Sequence, residues 1–134
     1  MITVTAAVIE RAGRVLICQR RADQKHPLKW EFPGGKVEAG EDPEAGLRRE
    51  LQEELGIEAA KIKEITRFEF QYPGGDPFRL IFYQVEQYEG VVQNQVFADI
   101  RWAEVQQLPD FDFLEGDIEF VHRLATGTDW RRAG

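Results

Sequence analysis

The chain has 134 residues, 43% of them hydrophobic and 31% charged, with a formal net charge of −7. These values predict one folded domain over 1–134 with a core that needs no staples, and they exclude a disordered chain. The negative charge argues against binding duplex DNA or an anionic membrane through bulk electrostatics, although a small anion can be held by a few cations or a metal. No apolar stretch approaches the ~18 residues that span a bilayer. The segment Met1–Ala6 has no charged region before an apolar core and does not read as a signal peptide. The single cysteine, Cys18, follows Val15-Leu16-Ile17 and reads as a buried core thiol. One cysteine makes no internal disulfide and no zinc framework, and a reducing, cytoplasmic setting is expected.

Residues 2–10 are apolar and β-branched, Arg11-Ala12-Gly13-Arg14 is a turn, and 15–19 are apolar again, which predicts a hairpin. Residues 20–31 are polar, contain Pro27 and predict a loop. The breaker cluster Phe32-Pro33-Gly34-Gly35 leads into an acidic loop ending at Gly40. A helix is expected from Asp42, an N-cap followed by Pro43 and Glu44, to Gly56 as the stop. Its apolar stripe is Leu47, Leu51 and Leu55.

Residues 62–72 and 78–88 predict strands around Tyr72-Pro73-Gly74-Gly75-Asp76-Pro77, the second of them central. Residues 98–103 predict a short strand. A last helix over 115–126 is expected to bury Ile118, Val121, His122 and Ala125, with Asp117 a candidate N-cap and 128–134 a frayed tail. Strands and two helices without regular alternation predict an α+β fold, helices covering a mixed sheet.

Glu50, Glu53 and Glu54 stand at i, i+3 and i+4 and share one helix face. Like charges at this spacing cost about 0.2–0.5 kcal/mol in an isolated helix. Divalent cations offer one compensation, since Mg²⁺ and Mn²⁺ prefer carboxylate, phosphate and water oxygens. A solvated acidic face, screened by Arg49, is the other reading.

The surrounding sequence bears on that choice. Gly35-Lys36-Val37-Glu38-Ala39-Gly40-Glu41, seven further residues, then Arg49-Glu50-Leu51-Gln52-Glu53-Glu54-Leu55-Gly56-Ile57 fill every defined position of the Nudix box, which the chain resembles over 35–57. Chance recurrence of such a set is roughly 10⁻⁸ per start position. Trp30-Glu31-Phe32-Pro33-Gly34-Gly35-Lys36 is similar to the MutT-type branch of that family.

The resemblance implies the Nudix fold, an α/β/α sandwich with a mixed central β-sheet and a loop-helix-loop catalytic motif. It implies a (deoxy)nucleoside triphosphate substrate, Mg²⁺ (with Mn²⁺ as an alternative), and release of a monophosphate and pyrophosphate by attack of water on the β-phosphorus. Carried over residue by residue, Glu50, Glu53 and Glu54 would be metal ligands with the Gly34 carbonyl, and Glu41 a supporting ligand. Arg49 would orient a glutamate through a charge-assisted hydrogen bond. Arg21 matches the arginine that holds the triphosphate, though a plain surface arginine is the alternative. Glu31 and Phe32 match positions near the nucleoside, Phe32 alternatively being core. Arg79 would face the cleft and grip a phosphate or base. Asp117 falls where the family reads the base edge.

One departure concerns the general base. Many MutT-like chains carry a glutamate before the Arg-Trp pair, and here that position is Val96. The base is then a helix glutamate, Glu53 first and Glu50 next, or Asp99 from a shifted position. Within the branch 8-oxo-dGTP is the first expected substrate and a pyrimidine triphosphate such as (d)CTP the second. ADP-ribose or dinucleoside polyphosphates rank lower. A non-catalytic nucleotide sensor on the same scaffold is the alternative class, and the filled glutamate set argues against it. A monomer is expected, with the aromatic strand 78–83 as an available interface.

Overall fold

The computed structural model describes residues 1–127, so the expected tail 128–134 lies outside the described residues. The chain runs β1 (Ile2–Arg11), β2 (Arg14–Gln19), β3 (Trp30–Glu31), β4 (Gly34–Lys36), α1 (Pro43–Leu55), β5 (Glu58–Phe70), β6 (Phe78–Glu89), β7 (Asp99–Glu104), a 3₁₀ turn (Val105–Asp110) and α2 (Glu115–Ala125). Strands β3-β2-β1-β6-β5 lie side by side, β4 pairs with β1 and β7 with β2. The β1–β6 pair is parallel and the other pairs are antiparallel, so the sheet is mixed.

Strand alternation makes the three layers. On β1, Ala6 and Val8 face one side while Ala7 and Ile9 face the other. On β6, Leu80 and Phe82 join the first set, and Ile81, Tyr83 and Val85 the second. Helix α1 covers the second face with Leu47, Leu51 and Leu55, all fully buried. Helix α2 covers the first with Phe120, Val121 and Leu124.

Local signals set the ends of α1. Asp42 accepts a hydrogen bond from the Glu44 N–H at 3.2 Å, and Gly56, at φ 69°, donates to the Gln52 carbonyl. Only a residue tolerant of the left-handed region ends a helix this way without strain.

Several expectations need correction. The loop predicted over 20–31 ends in β3, because Cys18 and Gln19 pair with Glu31 and Trp30. Strand β5 starts at Glu58 rather than near 62, its register shifts between Ala59 and Ile62 having hidden the alternation. The buried face of α2 is Gly116, Asp117, Phe120, Val121 and Leu124, whereas Ile118 is 41% exposed and His122 is exposed. Asp117 does not cap α2. Leu114 occupies the cap position and accepts the Asp117 backbone N–H at 2.9 Å. Strand β6 is hydrogen-bonded on both edges and Leu80–Tyr83 are buried, so 78–83 offers no free interface.

Candidate active site

A cleft of about 1130 Å³ opens over the first half of β1, along β4 and the start of β6. Gly34, Gly35 and Glu54 line it, as do Phe32, Leu80, Gly116 and Asp117, together with Arg20, Arg21 and Glu31. Predicted residues from distant parts of the chain therefore meet in one hollow.

The glycine pair on β4 lets α1 come close. A Cβ on Gly35 would stand 2.8–3.0 Å from the Glu50 carboxyl atoms. The Gly34 N–H donates to Glu54 Oε1 at 3.0 Å. Glu50 and Glu54 lie close enough for each to perturb the other's carboxyl. Burial pushes the Glu54 carboxyl up to about 9 despite the Gly34 N–H, and the neighbouring Glu50 and Glu31 add to the rise. Burial also raises Glu50, which Arg49 partly offsets.

Arg49 is the hub beside this pair. Its guanidinium lies 3.7 Å from Glu38, 3.0 Å from Glu41, 2.9 Å from Glu50 and 3.6 Å from Glu53. It also donates to the Lys36 carbonyl at 3.1 Å. The hydrogen bond from Arg49 holds the Glu41 carboxyl below the usual range, helped by the Glu38 N–H. Arg49 thus ties the loop before α1 to the glutamate face and keeps Glu50 beside the cleft. The Glu53 side chain is 59% exposed on the same face.

The donor set fits a hard divalent cation. The carboxyl oxygens of Glu50 and Glu54 stand against the Gly34-Gly35 backbone, and the Gly35 cradle would close if it carried a Cβ. As the side chains stand, no group of three or more His, Cys, Asp or Glu among the described residues is arranged to hold an ion. Glu50 and Glu54 are instead held by Arg49 and the Gly34 N–H.

Asp117, also in the lining, is only 5% exposed. Burial raises its carboxyl well above the usual range, Glu31 adds to this, and the Phe32 N–H it accepts works against it. The direction favours the neutral form, and a carboxyl donates a hydrogen bond only in that form while accepting in either. Phe32 is cleft wall and core together, packing on Phe82, Phe113 and Phe120.

Other predicted residues fare differently. Arg21 lines the cleft and donates to the Val96 carbonyl at 2.9 Å and to Asp23 at 3.0 Å. Arg79 does not face the cleft: alternation on β6 turns Phe78 and Leu80 into it and leaves Arg79 exposed elsewhere. Asp99 is also elsewhere, accepting from the Ile100 N–H and from Arg101, and it is not among the lining residues. Val96 does line the cleft. Cys18 is buried and burial raises its thiol, which suits core and not catalysis.

Sequence reading misses Arg20, which sits 3.3 Å from Glu31 and donates to the Lys25 carbonyl at 2.8 Å. Burial pushes Glu31 up to about 7, held down partly by that arginine. The Arg20-Arg21 doublet is the available signal, but which of the two pairs inside the cleft depends on how the loop leaves β2.

The NUDIX domain family model matches residues 1–124, and the chain belongs to that family. It is similar to an 8-oxo-dGTP diphosphatase of Haemophilus influenzae, 36% identical over 96% of this chain and 94% of that protein. It is also similar to two Escherichia coli proteins. One is a CTP pyrophosphohydrolase, 36% identical over 90% and 89%, and the other an 8-oxo-dGTP diphosphatase, 42% identical over 84% and 86%. The solution structure of the E. coli ORF135 protein superposes with a TM-score of 0.85 at 32% identity, over 100% of this chain and 95% of that one. Among the described residues no helix is long and apolar enough to cross a membrane.

Proposed function

We propose that this chain is a Mg²⁺-dependent pyrophosphohydrolase that cleaves a (deoxy)nucleoside triphosphate to the monophosphate and pyrophosphate, with 8-oxo-dGTP as its first substrate. The observation that carries the reading is one cleft lined both by Glu54, which stands with Glu50 against the Gly34-Gly35 backbone, and by a buried carboxyl, Asp117. In this reading the first carboxyls take a divalent cation that compensates the phosphates, and Asp117 meets the base edge.

Gly34, Glu50, Glu53 and Glu54 would hold the ions, with Glu41 in support, and Mn²⁺ could replace Mg²⁺. Bound there, the metal supplies neutralisation of the phosphate oxygens and activation of the phosphorus. The residues of the chain do the rest. Glu53, or failing it Glu50, takes a proton from the attacking water. The water oxygen joins the β-phosphorus, the bond from that phosphorus to the α–β bridging oxygen breaks, and the monophosphate leaves. Arg49 keeps Glu50 and Glu53 in place, Arg21 receives the outer phosphates, and Glu31, Phe32 and Asp117 receive the nucleoside. We read 1–134 as one domain and a monomer of the cytoplasm, with no direct nucleic-acid partner, in keeping with the net charge of −7.

A pyrimidine triphosphate such as (d)CTP is the second reading. It is favoured by the E. coli CTP pyrophosphohydrolase, matched at 36% identity. The Asp117 carboxyl accepts when ionised and also donates when protonated, so it suits either base. A kcat/KM panel of oxidised and ordinary (d)NTPs separates the two. The expected outcome is preference for 8-oxo-dGTP over dGTP and over (d)CTP. A higher value for (d)CTP transfers the assignment to the second reading, and equal values for 8-oxo-dGTP and dGTP remove the first.

A further inference from the structure

Outside the phosphate end, the cleft carries an aromatic assembly to which the proposed hydrolysis gives no role. Tyr72, in the β5–β6 turn, stacks on His26 of the 20–29 loop with ring centroids 4.6 Å apart and on Phe78 at 6.0 Å, while Phe70 meets it edge-on at 4.9 Å. All but Phe70 line the cleft, beside Gly116 and Asp117.

The assembly is held from both sides. Arg20 fastens the 20–29 loop, its backbone N–H reaching the Lys29 carbonyl at 2.9 Å and its Nε the Lys25 carbonyl at 2.8 Å. Gln19 Nε2 reaches the Leu28 carbonyl at 3.2 Å. Within that loop His26 and Leu28 sit at φ 51° and 63°, a region that L side chains seldom occupy. A loop held in this way presents His26 to Tyr72 as a fixed surface.

Two rings stack on Tyr72 and a third meets it edge-on, and the polar group it offers a ligand is its hydroxyl. That oxygen accepts the Gly116 N–H at 3.4 Å. Gly116 immediately precedes Asp117, so the phenol lies against the same turn of α2. A phenol that accepts from the backbone keeps its one O–H free to donate. Stacked rings also remove the rotamer freedom that binding would otherwise have to freeze.

We propose that Tyr72 is a specificity-determining residue for the nucleobase, its O–H donating to an acceptor on the base beside Asp117 while His26 and Phe78 lock the ring. This inference rests on the proposed nucleotide substrate. It adds a neutral hydrogen bond to the base end and nothing to the phosphate end.

Calorimetric titration with Mg²⁺ present tests it, using dGMP, 8-oxo-dGMP and CMP as nucleotides and pyrophosphate and ribose 5-phosphate as ligands without a base. Tyr72→Phe keeps the ring and its packing. It is expected to weaken the best-bound nucleotide about three- to tenfold, the worth of one such bond. Pyrophosphate and ribose 5-phosphate are expected to stay within twofold. Tyr72→Leu, which also removes the ring and its stacking, is expected to weaken the nucleotide further. Unchanged nucleotide affinity in Tyr72→Phe overturns the inference, as does an equal loss for the baseless ligands. Tyr72-dependent nucleotide binding in a protein that hydrolyses no triphosphate would sink the hydrolase reading and leave this one standing. Hydrolysis with Tyr72-independent binding would do the reverse.

Discussion

Glu53→Gln is expected to lower kcat by at least about 100-fold, the lower part of the range for losing a general base. Glutamine keeps the shape and removes both the charge and the basicity. The side chain is 59% exposed and its partner Arg49 stands 3.6 Å away, so the fold has little stake in it. The unfolding midpoint should accordingly move by no more than the ±0.5 kcal/mol or so typical of surface changes. Steady-state kinetics beside a urea titration checks both halves. A fall in kcat of under tenfold would remove Glu53 from the proposed role and pass it to Glu50.

The adjacent glycines of β4 are expected to respond in opposite ways to alanine. At Gly34, with φ 146°, a Cβ would stand 2.1 Å from the Thr5 carbonyl oxygen and 2.8 Å from its carbon. Thr5 is held in β1 by pairing to both β4 and β6, so the backbone cannot move aside cheaply. Overpacking and a forced backbone conformation together should cost about 3 kcal/mol or more. At Gly35 the Cβ would meet the far end of Glu50 instead, at 2.8–3.0 Å. That carboxylate can rotate away, so stability should change by less than about 1 kcal/mol. Activity should still fall, because Glu50 is turned from its place beside the cleft. Equal unfolding midpoints for Gly34→Ala and Gly35→Ala would contradict this account of the glycine pair.

Residues whose meaning is local are legible in the sequence itself. Asp42, Pro43, the leucine stripe and Gly56 place α1 by capping and periodicity alone, and the glutamate face follows from the helix. The same holds for the β1–β2 hairpin, where Ala12 and Gly13 turn through positive φ.

Features that depend on tertiary pairing are not legible in this way. Arg79 reads as a cleft residue along the chain, but the β1–β6 register fixes which way β6 alternates and turns it elsewhere. Asp117 resembles a cap, but the cap falls three residues earlier and the carboxyl is buried against the Phe32 N–H. The buried face of α2 differs from the expected one because helix periodicity allows more than one stripe, and the packing of Phe120 on Phe32 and Phe82 selects the one that runs through it. Arg20 and Tyr72 owe their places to a loop and a turn that meet across the cleft, and nothing in their neighbours along the chain announces that.

The central claim is that the carboxyl end of the cleft directs water to an inner phosphorus of a nucleoside triphosphate. Product analysis by ³¹P NMR, with Mg²⁺ present and then removed by a chelator, tests it most directly. The account predicts pyrophosphate and nucleoside monophosphate in equal amounts with the metal, and neither product after chelation. Orthophosphate with a nucleoside diphosphate, or turnover that survives chelation, would contradict it.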